Sequence, residues 1–136
     1  MKAKNALYLI NLRNNSKVLN KLKSNAYLAE FDATSAKKYS GYAEEEADDA
    51  ERDADSFCSD ASKKAENAEE YFYRAKKKFS NAMLELGNAS YSDSIYEINT
   101  RLQNAKNYLN QGIQNLNYGV ENLNNSILIL KNNCNN

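Results

Sequence analysis

The chain has no proline, no histidine and no tryptophan, only four glycines and two cysteines, and no long apolar run. Without proline, nothing in it must break a helix. Without histidine it lacks the commonest base for neutral-pH catalysis, which is also the commonest metal ligand. Neither a glycine-rich phosphate loop nor a nucleophile elbow takes its place. Carboxylates such as Glu66, Glu69 and Glu70 sit in a solvated run, with no partner expected to raise a pKa. These absences predict a protein that is not an enzyme, with no catalytic residues, no metal site and no cofactor. Cys58 and Cys134 lack metal-ligand spacing and are too few for a disulfide framework.

No segment approaches the ~18 apolar residues of a membrane span. The opening MKAKNALYLINLR has a basic flank, but Asn11 and Arg13 end its apolar run and no small-residue cleavage site follows. The reading is of a cytoplasmic protein (host-cell cytoplasm if phage-encoded), or of one exported without a cleaved signal, with no signal peptide and no membrane association expected. Eighteen basic residues balance eighteen acidic ones, so the chain as a whole is no polycation built for direct nucleic-acid binding. Asparagine is over-represented, most densely after residue 99; with abundant Lys, Tyr and Ile this points to an AT-rich bacterial or phage gene.

What the chain does have is a seam. Small or apolar residues recur at alternating three- and four-residue steps from Ala43 through Ala47, Ala50, Ala54, Phe57, Ala61, Ala65, Ala68, Phe72, Ala75, Phe79 and Ala82 to Leu86. Before Ser40 the series continues in Ala36, Ala33, Ala29, Ala26, Leu22 and Val18; only the steps 57–61–65 and 18–22–26 break the alternation. A second series runs Ile95, Ile98, Leu102, Ala105, Leu109, Gly112, Leu116, Gly119, Leu123, Ile127 and Leu130. Such stripes are what helices need to bury one face against another helix.

Two segments interrupt the pattern. Ser40-Gly41 combines a capping residue with a weak helix former. Gly87 to Asp93 reads as a stop, after which Ser94 opens a capping box with Glu97. The expected fold is an all-α, elongated, antiparallel three-helix bundle, up-down-up, with Ala-rich coiled-coil-like seams. Its single domain, 1–136, has helices at about 2–39, 42–87 and 94–132 and a frayed end. Folding back at residue 40 would set Ala33 against Ala47 and Ala26 against Ala54. It would also hold Cys58 roughly 18 Å along the axis from Cys134, at 1.5 Å per residue, so the cysteines are expected not to pair. The alternative is one very long helix plus a shorter one, oligomerising.

Charge forms a second layer. Between residues 44 and 60 stand Glu44, Glu45, Glu46, Asp48, Asp49, Glu51, Asp53, Asp55 and Asp60, against Arg52 alone. With a turn at residue 40, Glu44 to Glu46 would also offset a helix N-terminal dipole; all nine acids form a candidate acidic face for a partner. On the third helix Gln103, Asn110, Asn117 and Asn124 recur every seven residues as a candidate neutral docking face. Tyr39 and Tyr42 bracket the expected first turn and Tyr91 and Tyr96 the second, as candidate aromatic anchors. These features lead to a non-enzymatic bundle acting through protein–protein contacts or self-association, as a structural subunit, adaptor or accessory factor. The alternative function is a small phage or mobile-element inhibitor whose stretch 44–60 blocks a nucleic-acid-binding protein.

Overall fold

The computed structural model describes residues 15–134, as three helices: α1 (Asn15–Asp55), α2 (Ser59–Tyr91) and α3 (Ile95–Asn133). The described residues form an all-α three-helix bundle, α2 running antiparallel to both its neighbours. None of these helices is long and apolar enough to cross a membrane. A helix start near residue 2 lies outside the described residues.

The first turn is not at Ser40-Gly41. Helix α1 runs through both residues and ends at Asp55; the chain reverses over Ser56, Phe57 and Cys58. Ser40 is buried in the seam and donates its hydroxyl to the Ala36 carbonyl one turn back, at 2.7 Å. A Cβ at Gly41 would stand 3.7 Å from Lys76, an ordinary contact. Glycine within a helix costs about 1 kcal/mol relative to alanine, which a continuous seam on either side outweighs. At the observed turn the Phe57 and Cys58 amides both donate to the Ala54 carbonyl, at 3.2 and 2.8 Å. Phe57 is 61% exposed, so it marks the end of the seam and does not belong to it.

Moving the turn changes every partner of α1. The chain divides into two compact units, one of the described residues up to Ser35 with Phe79–Asn110, the other of Ala36–Lys78 with the described residues from Gln111 on. In the first unit, Ala26 and Leu22 pack with Ala89 and Ile98, and Ala33 packs with Ala82, Leu86 and Ala105. In the second, Ala47 packs with Ala68 and Phe72 beside Leu116 and Leu123, and Ala54 with Ala61 beside Leu130. Alanine therefore still meets alanine, but across the turn at 56–58: Ala33 faces Ala82, not Ala47.

The same register overturns the expectation for the cysteines. Cys58 and Cys134 form a disulfide with Cα atoms 5.8 Å apart, because the turn itself carries Cys58 to the level where α3 ends. On α3 the buried residue after Leu123 is Ser126, which donates to the Ala61 carbonyl at 2.7 Å, while Ile127 is 48% exposed.

The second turn is close to expectation, although α2 continues past Gly87 to Tyr91. Gly87 serves packing: a Cβ there would lie 3.2 Å from a Glu30 carboxylate oxygen. The Glu97 amide donates to Ser94 Oγ at 3.2 Å, as a capping box requires. The Glu97 carboxylate accepts from the Ser92 hydroxyl at 2.9 Å, and Ser92 Oγ accepts from the Ser94 amide at 3.1 Å. Lys23 to Asp93 (3.0 Å) and Arg101 to Glu85 (3.2 Å) tie the surrounding helices.

Candidate functional site

The shifted turn divides the nine acidic candidates. Glu44, Asp48 and Glu51 are partly buried, whereas Glu45, Glu46, Asp49, Asp53, Asp55 and Asp60 are exposed. Residues three and four apart share a helix face, so 44, 48 and 51 form one column. Folding back at 56–58 sets that column opposite Glu66, Glu69 and Glu70 of α2. Together they line an open cleft of about 590 Å3 within the second unit, closed at one side by Tyr73. The acids do not begin a helix: all but Asp60 belong to the C-terminal half of α1. Glu44 to Glu46, expected to offset a helix N-terminal dipole, lie far from the start of α1, and Asp53 and Asp55 stand in its last turn, at the unfavourable end of the dipole.

Two cations partly neutralise the cleft. Lys76 Nζ donates to Glu44 Oε1 at 2.6 Å, and Arg52 pairs with Asp48 at 3.1 Å and with Asp49. The Arg52 guanidinium is held above its ordinary pKa first by its hydrogen bond to Asp49, then by the charge of Asp48. No such help reaches Glu69. Asp48, Glu51 and Glu69 bring carboxylate oxygens within 4.8 Å of one another. Burial above all, then the hydrogen bond with Glu51 and the charges of Asp48, Glu51 and Glu44, push the Glu69 carboxyl up to about 7. This corrects the expectation that the carboxylates of α2 have nothing to perturb them. A proton held on Glu69 relieves the repulsion between the three convergent carboxylates.

The aromatic candidates separate into two kinds. Tyr39 and Tyr42 stand in the middle of α1, not at a turn, with ring centroids 6.0 Å apart. Tyr91 and Tyr96 do flank the second turn, and they are 84% and 82% exposed. Gln103, Asn110, Asn117 and Asn124 are all exposed on α3. The amide repeat has an unexpected neighbour: Ile113, Val120 and Ile127, also seven apart and about half exposed. Sequence reasoning assigned Ile127 to the core and passed over the other two.

A second concave surface escaped the sequence altogether. In the first unit Tyr27, Glu30, Phe31 and Thr34 of α1 and Tyr91 of α2 line a cleft of about 300 Å3. Tyr27 and Phe31 lie one turn apart and meet edge to face at 5.0 Å. The signal was two aromatics four residues apart, off the seam. Its meaning depended on knowing that Glu30 faces Gly87.

The chain matches no protein-family model, no curated protein and no solved structure.

Proposed function

We propose that this protein works without catalysis, through protein–protein contacts, as a structural subunit, adaptor or accessory factor. The observation that carries the reading is the display of Tyr91 and Tyr96, more than four-fifths exposed, on a turn fixed by the Ser92, Ser94 and Glu97 hydrogen bonds. Tyrosine held on a rigid turn loses little further entropy on binding and offers large amphipathic area, which is the character of an interface anchor. Affinity capture from the native host, wild type against a Tyr91→Ser/Tyr96→Ser double variant, tests it, with light scattering for self-association. A partner, or a dimer, present with wild type and lost with the variant is the expected result. A strictly monomeric protein that captures nothing counts against it.

A second reading, an inhibitor occupying the basic groove of a nucleic-acid-binding protein, draws support from the six exposed acids of the stretch 44–60. Such binding weakens steeply with salt. Reversing Glu45, Asp49 and Asp53 to Lys, all exposed, should abolish it; unchanged affinity would end the idea. The cytoplasm stays the proposed compartment; the Cys58–Cys134 disulfide speaks against it, and the cysteines test it. Reducing cytosol keeps Cys58 and Cys134 as adjacent thiols, whereas an oxidising compartment keeps their bond. Trapping thiols at the moment of lysis distinguishes the two.

A further inference from the structure

We propose that the α1–α2 cleft of the first unit, lined by Tyr27, Phe31, Tyr91 and Glu30, receives an arginine side chain of a partner polypeptide. This rests on the protein-binding reading above and names the chemistry the partner must present.

Three observations converge on it. The first is the aromatic wall: Tyr27, Phe31 and Tyr91 are 51%, 56% and 84% exposed around one recess. Ring faces carry negative quadrupole potential and attract a cation placed over them. The second is Glu30, partly buried where the rings are exposed. Its carboxylate lies over Gly87, where a Cβ would come within 3.2 Å, so glycine at that position makes the seat. The third is the missing counter-ion. Two other partly buried carboxylates that reach toward a neighbouring helix are paired, Glu44 with Lys76 and Glu85 with Arg101. Among the described residues no cation pairs with Glu30, and the lysine two turns before it, Lys23, is engaged by Asp93.

A recess lined by three aromatic rings, and by a carboxylate with which no cation among the described residues pairs, is complementary to a planar cation. Guanidinium stacks on rings and can bond a carboxylate through two parallel N–H groups, which the compact lysine ammonium cannot do. About 300 Å3 is the low end for small-molecule pockets and suits one long side chain entering from a docked chain.

The test is a titration of the 15N-labelled protein with a blocked Ala-Arg-Ala peptide, against the isosteric, uncharged citrulline peptide. Saturable shifts should appear at amides 27–34 and 87–93 with arginine. Affinity should fall about tenfold with citrulline and about tenfold for Glu30→Gln, the effect of removing one charge-assisted pair. Tyr91→Ala, a change at an exposed position that leaves the core intact, should also weaken binding. No saturable shift, an equal response to citrulline, or full affinity in Glu30→Gln would each overturn the proposal. Shifts that grow with protein concentration alone, with none from peptide, would mean that a second copy fills the cleft, and would overturn it too. Should the arginine peptide fail while Tyr91→Ser/Tyr96→Ser still loses its partner, the cation assignment falls and the protein-binding reading stands.

Discussion

Gly119 of α3 sits against the ring of Phe72, a side chain almost wholly buried; a Cβ there would come within 2.5 to 2.9 Å of three ring atoms. A buried ring cannot swing aside as the end of a lysine can, so the residue must remain small. Gly119→Ala should gain about 1 kcal/mol of helix propensity and lose more to overpacking, typically 1–3 kcal/mol. Denaturant unfolding should show a lower midpoint; a higher one would mean that Phe72 has room to move. The carboxylate cluster gives a second residue-level expectation, with a sign. Folding raises Glu69 from an ordinary 4.5 to about 7, so the protonated form is favoured in the native state. Its contribution to stability is complete below the ordinary value and is lost as pH rises through about 7. The groups facing it are Glu44, Asp48 and Glu51 from α1 and Glu66 and Glu70 on its own helix, relieved by Lys76 and Arg52. Glu69→Gln should melt with wild type near pH 4 and above it at pH 8. A constant difference across that range would mean that folding does not raise the Glu69 carboxyl.

The decisive element is the turn between α1 and α2, and Gly41→Ala reports on it directly. At a helix C-terminal cap, glycine takes a left-handed conformation that alanine resists. Inside a helix, alanine is better by about 0.5–1 kcal/mol. Because α1 passes through Gly41 with ordinary space beside it, the variant should be the more stable one by thermal melt. A loss of stability would restore a turn at residue 40. The sequence displayed the seams clearly, since Ala26, Ala33, Ala47, Ala61, Ala68 and Ala82 recur with helical period and all are buried. It displayed the second turn too, because Ser94 and Glu97 carry their own hydrogen-bonding logic. The first turn was obscured by a local argument, a weak Ser-Gly pair, that tertiary packing outvotes. Its true mark was the irregular step 57–61–65, where Phe57 leaves the core. Both clefts were lost with it: Glu51 and Glu69, or Glu30 and Gly87, become neighbours only when the fold-back point is right. Nor does periodicity alone decide between Ser126 and Ile127 for a buried place; Ser126 takes it with its hydroxyl satisfied by the Ala61 carbonyl.

At the scale of the whole molecule, the covalent bond between Cys58 and Cys134 closes a loop across 76 positions of sequence. It ties the first turn to the end of α3, where the neighbouring packing comes from Ala54, Ala61, Ile129 and Leu130. Two of those four are alanines, and alanine buries little area at ~25 cal/mol per Å2, so this end of the core has little apolar surface of its own. Cross-linking residues that far apart removes chain entropy from the unfolded state, worth about 4.5 kcal/mol on the loop-closure estimate. The buried Phe72, Phe79, Leu86 and Ile98 lie elsewhere in the helices and do not depend on the bond. Reduction should therefore loosen rather than unfold the protein. Protein refolded in air should carry no thiol that a labelling reagent can find, and peptide mapping should recover the 58–134 cross-link. Adding reductant, or the Cys58→Ser/Cys134→Ser double variant, should lower the melting temperature while the helical circular dichroism at 25 °C persists. Hydrogen exchange should then quicken first at the amides of 54–62 and 126–133, the segments that the bond holds together. Free thiols in the air-oxidised protein, or a melting temperature indifferent to reductant, would place the turn somewhere other than residues 56–58.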